Sequence, residues 1–148
     1  MPVAAVRSGG SPTVSTGSAS SVGTATASLN GTLTDMGTAS TVQVYFEYGL
    51  DTNYASGTTP YQAMTGTGAF TAEVSGLSPE TTYHFRAVAV GDATAYGDDA
   101  TFTTISAVAP TVSTGSPSGV GAYGATLSGT LSDMGTASTV QVLSLIHI

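Results

Sequence analysis

The sequence predicts an all-β protein, a seven-stranded antiparallel two-sheet sandwich followed by an incomplete second repeat. Three observations carry this. Apolar and polar residues alternate with a period of two in stretch after stretch, as a half-buried strand requires, and no stretch shows a helical period. The 148 residues include 19 Gly and 6 Pro, and Ser and Thr supply about 30% of the chain, a composition of strands joined by tight turns. A long segment also recurs. "PTVSTGSASSVGTATASLNGTLTDMGTASTVQV", starting at Pro12, matches the segment starting at Pro110 at about 25 of 33 positions, an offset of 98 residues. That offset is close to the ~100 residues of a seven-stranded two-sheet sandwich.

The elements follow in order. Residues 12–17, "PTVSTG", read as a first edge strand, where a leading Pro is tolerated. "TATASLNGTL" places Ala25, Ala27, Leu29, Gly31 and Leu33 on one face, and "DMGTAS" is a turn. "TVQVYFEYG" sends Val42, Val44, Phe46 and Tyr48 inward and Gln43, Tyr45 and Glu47 outward. "LDTNYASGTTP" is a loop with room for a short edge strand. "GAFTAEVSGL" aligns Phe70, Ala72 and Val74, and "TTYHFRAVAV" turns Tyr83, Phe85, Ala87 and Ala89 inward. "GDATAYGD" reads as a hairpin loop and "DATFTT" as the closing strand.

The expected organisation is a disordered segment over 1–11, a complete domain over 12–106, and a truncated second repeat over 107–142 holding its first strands only. The repeat fails abruptly after Val142. "LSLIHI", residues 143–148, resembles one reading frame of a transposase-based sequencing-library adapter, and is expected to be adapter-derived. The other reading is a divergent strand with Leu143, Leu145 and His147 on one side.

"LSPETTYHFRAVAV", Leu77 to Val90, resembles the fibronectin type III signature, in which Leu, then Pro, then Tyr lead into the sixth strand. The resemblance covers 12–106 well and 110–142 in part. It implies structural roles for Leu77, Pro79 and Tyr83, with the Tyr83 hydroxyl bonding back to the chain at the corner. The family's core Trp is absent, so Phe46 and Phe85 must fill the centre. The likeness is to the bacterial and archaeal branch of such modules, which occur in arrays on surface proteins and secreted enzymes.

Charge and chemistry exclude several functions. Net charge is −7, lysine is absent, and Arg7 and Arg86 are the only basic side chains besides histidine. Nucleic acid binding needs a basic face that displaces counterions, so it is set aside. Anionic membrane surfaces are set aside for the same reason. No apolar run approaches the ~20 residues of a membrane-crossing helix. With no cysteine, disulfides, zinc–thiolate sites and thiol catalysis are excluded. No cofactor is expected. Asp51 with Asn53, and Asp92 with Asp98 and Asp99, lack the dense spacing of a calcium loop and read as solubilising charge.

His84 points outward, and no nucleophile, base and acid converge on it, so the chain is not expected to be an enzyme. Tyr45, Glu47, His84 and Arg86 share the outward face of neighbouring strands and form a candidate surface patch. Glu47 and Arg86 read as a cross-strand ion pair worth ~0.2–1 kcal/mol. The low-lysine, Thr-rich, acidic composition suits an extracellular or cell-surface setting. The expected role is a non-catalytic spacer repeat whose partners are neighbouring repeats of the same chain. "TTISAVAP" forms a short linker stiffened by its final Pro. Two alternatives remain open: an adhesion or carbohydrate-binding module meeting a surface protein or polysaccharide, and an accessory domain of a secreted glycan-degrading enzyme.

Overall fold

The computed structural model describes residues 10–147. Arg7, and all but two residues of the segment expected to be disordered, lie outside that range. The chain divides into a first compact unit ending at Ile105 and a second beginning at Ser106.

In the first unit the alternating stretches form β1 (Thr13–Thr16), β2 (Ala27–Asp35), β3 (Val42–Gly49), β4 (Gly57–Thr58), β5 (Gln62–Met64), β6 (Gly68–Val74), β7 (Thr82–Val90), β8 (Thr94–Tyr96) and β9 (Ala100–Thr103). One sheet has the order β1-β2-β6. The other has the order β4-β3-β7-β8, with β5 also on β3 and β9 also on β7. All these strand pairings are antiparallel.

Among the described residues the first unit thus has nine strands, against the seven expected, because two edge rows are each broken in two. Along β3, β4 and β5 are separated by Pro60, which has no N–H to give a ladder. Along β7, β8 and β9 are separated at Gly97–Asp99, where Thr16 of β1 reaches across. Its Oγ1 accepts the Ala87 N–H at 3.0 Å. A Cβ on Gly97 would lie 2.4 Å from that Oγ1, so the crossing requires glycine. "GDATAYGD", expected to be loop, thus contains a strand. Its Asp92 carboxylate accepts a hydrogen bond from Thr38 Oγ1. β2 starts at Ala27, two residues later than the alternation suggests.

The inward faces meet in a sealed core. Leu29, Leu33, Val42, Val44, Phe46 and Phe85 have no accessible surface. The Phe46 ring lies 5.0 Å from Phe70 and 6.2 Å from Phe85, an edge-on arrangement in the latter case. Phe85 continues to Phe102 at 5.9 Å, and Phe102 stacks on Tyr83 at 5.6 Å. Such offset and edge-on pairs contribute beyond their buried area. Gly31 sits mid-strand because a Cβ there would come within 2.9 Å of Phe70 Cζ.

The connection from β6 to β7 is tied down by its neighbours. Leu77 is buried and its N–H donates to Ala25 O at 3.0 Å. The Ser78 N–H donates to Tyr83 Oη at 3.0 Å. Thr104, also buried, donates from Oγ1 to Ser78 O at 2.6 Å and accepts from Thr81 N at 3.0 Å. Pro79 is exposed at the tip. Tyr83→Phe keeps the ring and orphans the Ser78 N–H, so we expect a loss of about 1–2 kcal/mol. A denaturant melt indistinguishable from wild type would remove this role from the hydroxyl.

The second unit repeats the first pair of strands. β10 (Thr111–Thr114) and β11 (Gly129–Asp133) pair as Val112↔Leu131, Ser113↔Thr130 and Thr114↔Gly129. Their counterparts pair as Val14↔Leu33, Ser15↔Thr32 and Thr16↔Gly31, and both pairs carry an irregularity at the same place. The turn that follows is also copied. Gly37 and Gly135 have φ of 64° and 63°, each beside an Asp side chain that accepts its N–H at 2.7 Å. Residues 134–147 form no strand. Val112, Leu127 and Leu131 are 65%, 46% and 37% exposed, whereas Val14, Leu29 and Leu33 are buried. The residues that cover them in the first unit belong to β3, β6 and β7.

Candidate functional site

The outer face of the larger sheet gathers the side chains with most chemistry. β3 turns Gln43, Tyr45 and Glu47 outward, and β7 does the same with His84, Arg86 and Val88. Register sets Tyr45 opposite Val88, Glu47 opposite Arg86, and Val88 opposite Tyr96. Tyr61, just before β5, brings its ring to 4.5 Å from that of Tyr45, tilted by 35°. A transverse row Tyr61–Tyr45–Val88–Tyr96 therefore crosses the sheet.

Beside this row runs a polar network. Arg86 Nε donates to Glu47 Oε1, with the Arg86 and Glu47 side chains 30% and 19% exposed. The guanidinium carbon lies 4.0 Å from the Tyr96 ring centroid and 4.7 Å from that of Tyr54. Tyr54 is buried, and its hydroxyl donates to Asp99 Oδ1 at 2.8 Å. The other oxygen of Asp99 meets His84 Nδ1 at 2.8 Å.

Of the four patch residues, Glu47 and Arg86 touch, Tyr45 joins Tyr61, and His84 joins Asp99. His84, on the outward face, is half-buried against the Asp99 carboxylate. Val88, outward by alternation, is buried all the same, flanked on its own face by Tyr45 and Tyr96. The sequence reading missed Tyr54, Tyr61 and Tyr96, and took for solubilising charge an Asp99 that bonds Tyr54 and His84. A three-residue turn at "GDA" would have placed Tyr96 beside Val88. No comparable local signal marks Tyr54 or Tyr61, which arrive from the loops flanking β4.

The histidine–aspartate pair is two-thirds of a hydrolytic set. Among the described residues, no serine or threonine hydroxyl bonds to His84, and the network lies on a sheet face rather than in a cleft. No cluster of three or more metal-ligating side chains occurs among the described residues. Asp51 instead accepts the N–H of Asn53 at 2.9 Å, closing its own loop. Likewise, no described helix is long and apolar enough to cross a membrane.

Burial, then the hydrogen bond to Asp99, pushes the Tyr54 hydroxyl from 10.0 up to about 12. Burial also raises Tyr45. The folded state thus holds the Tyr54 proton more tightly than the unfolded chain. The resulting stability is complete below pH 10 and is lost as pH rises toward 12. We expect one late-ionising tyrosine in a tyrosinate absorbance titration, absent in Tyr54→Phe. A titration in which Tyr54→Phe removes an early-ionising group instead would contradict the assignment.

The fold has solved counterparts. A short form of the sensor domain of the anti-sigma factor RsgI4 in Pseudobacteroides cellulosolvens superposes with a TM-score of 0.55 at 19% identity, covering 64% of this chain and 95% of that one. The solution structure of the same sensor domain gives 0.53 at 18% identity, over 65% and 76%. At these identities the likeness is one of fold. No family model matches the sequence, and no curated protein matches it.

Proposed function

We propose that the first unit is one bead of a fibronectin type III-like tandem array, a non-catalytic spacer repeat of an extracellular surface or secreted protein. One observation carries this reading: β10–β11 copies the register of β1–β2, irregularity included, 98 residues further on. A chain that repeats a strand pair so closely is building a series of like units, each stable through its own core. The fibronectin type III assignment is supported by the strand orders β1-β2-β6 and β4-β3-β7, and by Tyr83 bonding to the loop before its own strand. A non-catalytic role agrees with the sealed core and with the sensor role named for the proteins of similar fold. β7 is nine residues long, and at ~3.3 Å per residue each bead adds about 30 Å of reach.

Tandem copies of residues 10–107 test the reading. The maximum dimension in small-angle scattering should grow by about 30 Å per added copy. Growth that stalls as copies fold against one another would reject the spacer role.

A further inference from the structure

We propose that the outer face of β3, β7 and β8 binds a neutral polysaccharide along the row Tyr61–Tyr45–Val88–Tyr96. Two properties of the face lead there. The first is its apolar content. Tyr61 and Tyr96, at the two ends of the row, are 65% and 53% exposed, and Tyr45 with Val88 fills the space between them. With strands ~4.8 Å apart, the row extends roughly 14 Å, room for a short run of sugar rings. Sugar rings have C–H faces that settle on the negative faces of aromatic rings.

The second is the arrangement of polar groups. Gln43 and Thr94 stand two residues from Tyr45 and Tyr96 on one side of the row, and Glu47 and Arg86 stand on the other. A band of rings between two polar rails matches a sugar chain, whose hydroxyls project from the ring edges. The rails carry no free charge. Glu47 is engaged by Arg86, Arg86 by two rings, and Asp99 by Tyr54 and His84. An anionic ligand therefore finds no unpaired cation among these residues, and a net charge of −7 disfavours polyanions. This excludes acidic glycans and nucleic acid as the preferred occupant.

Native electrophoresis of the full chain through gels containing galactomannan, xyloglucan or hydroxyethylcellulose, with polygalacturonate as the acidic arm, tests the proposal. Retardation is expected in at least one neutral gel. Tyr61→Ala with Tyr96→Ala should weaken it at least about tenfold, the loss of two ring contacts. Thermal unfolding of the variant checks that the fold survives. Should it fail, ring-proton shifts of the wild-type chain replace it as readout: with the retarding polysaccharide, Tyr61 and Tyr96 should move and core Tyr83 should not. The proposal falls if no neutral gel retards the chain, if the double variant is retarded as before, if shifts miss Tyr61 and Tyr96, or if only polygalacturonate acts. None of these results bears on tandem spacing, so the spacer reading is decided separately.

Discussion

Replacing Phe46 with alanine lowers the unfolding free energy of the first unit by about 3–5 kcal/mol, the range for a fully buried phenylalanine. The site cannot relax cheaply. The ring is wholly inaccessible and lies between Phe70 on the smaller sheet and Phe85 on its own sheet. Its two ring neighbours, Phe70 and Phe85, are themselves buried on fixed strands and leave the cavity largely open. Ala87, the cross-strand partner of Phe46, and Gly31, the partner of Phe70, have almost no side chain to fill the space. Small domains have about 5–15 kcal/mol in total, so this one change removes a large fraction of stability. Tyrosine fluorescence in a denaturant melt suits the measurement, because six of the seven tyrosines lie in the first unit. Phe46→Leu should cost clearly less, since it leaves a smaller cavity. If both variants melt like wild type, the centre of the core lies elsewhere.

How much of this was legible follows from what each feature depends on. Core positions such as Leu29, Val44, Phe46 and Phe85 came from alternation alone, because a strand facing one core repeats every two residues. The broken edge rows did not, since their interruptions depend on Pro60 and on Thr16 crossing from the other sheet. Nor did the aromatic row, because Tyr61 reaches it only through pairing of β5 with the distant β3, and Tyr96 only if "GDA" is read as a tight turn. The clearest limit is "DMGTASTVQV", present twice. In the first unit its last residues, Val42 to Val44, begin β3, paired with β5 and β7. In the second, Val140 to Val142 form no strand, and Val142 is 65% exposed. A period of two states which face a residue would take; partners decide whether the strand exists.

Arg86→Met costs about 3 kcal/mol, well above the ~0.2–1 kcal/mol of an exposed cross-strand pair. The difference lies in what covers the pair. The Arg86 and Glu47 side chains are only 30% and 19% exposed, and the guanidinium lies against the rings of Tyr54 and Tyr96. Methionine retains much of the stem's packing but leaves the Glu47 carboxylate half-buried without its partner, and it ends the two ring contacts. Breaking a buried pair from one side costs about 3–5 kcal/mol, and the partial exposure here takes the low end of that range. Glu47→Gln keeps a hydrogen-bond acceptor of the same shape and should cost less. In the double variant neither charge is stranded, so its loss should be smaller than the two single losses added. We expect a coupling of about 1.5–3 kcal/mol from the cycle, measured by denaturant melts at moderate salt, which leaves a shielded pair largely unscreened. A coupling below about 0.5 kcal/mol would make Glu47 and Arg86 an ordinary surface pair. The polar network would then contribute nothing beyond its individual contacts, and the aromatic row would be left without a fixed polar margin on that side.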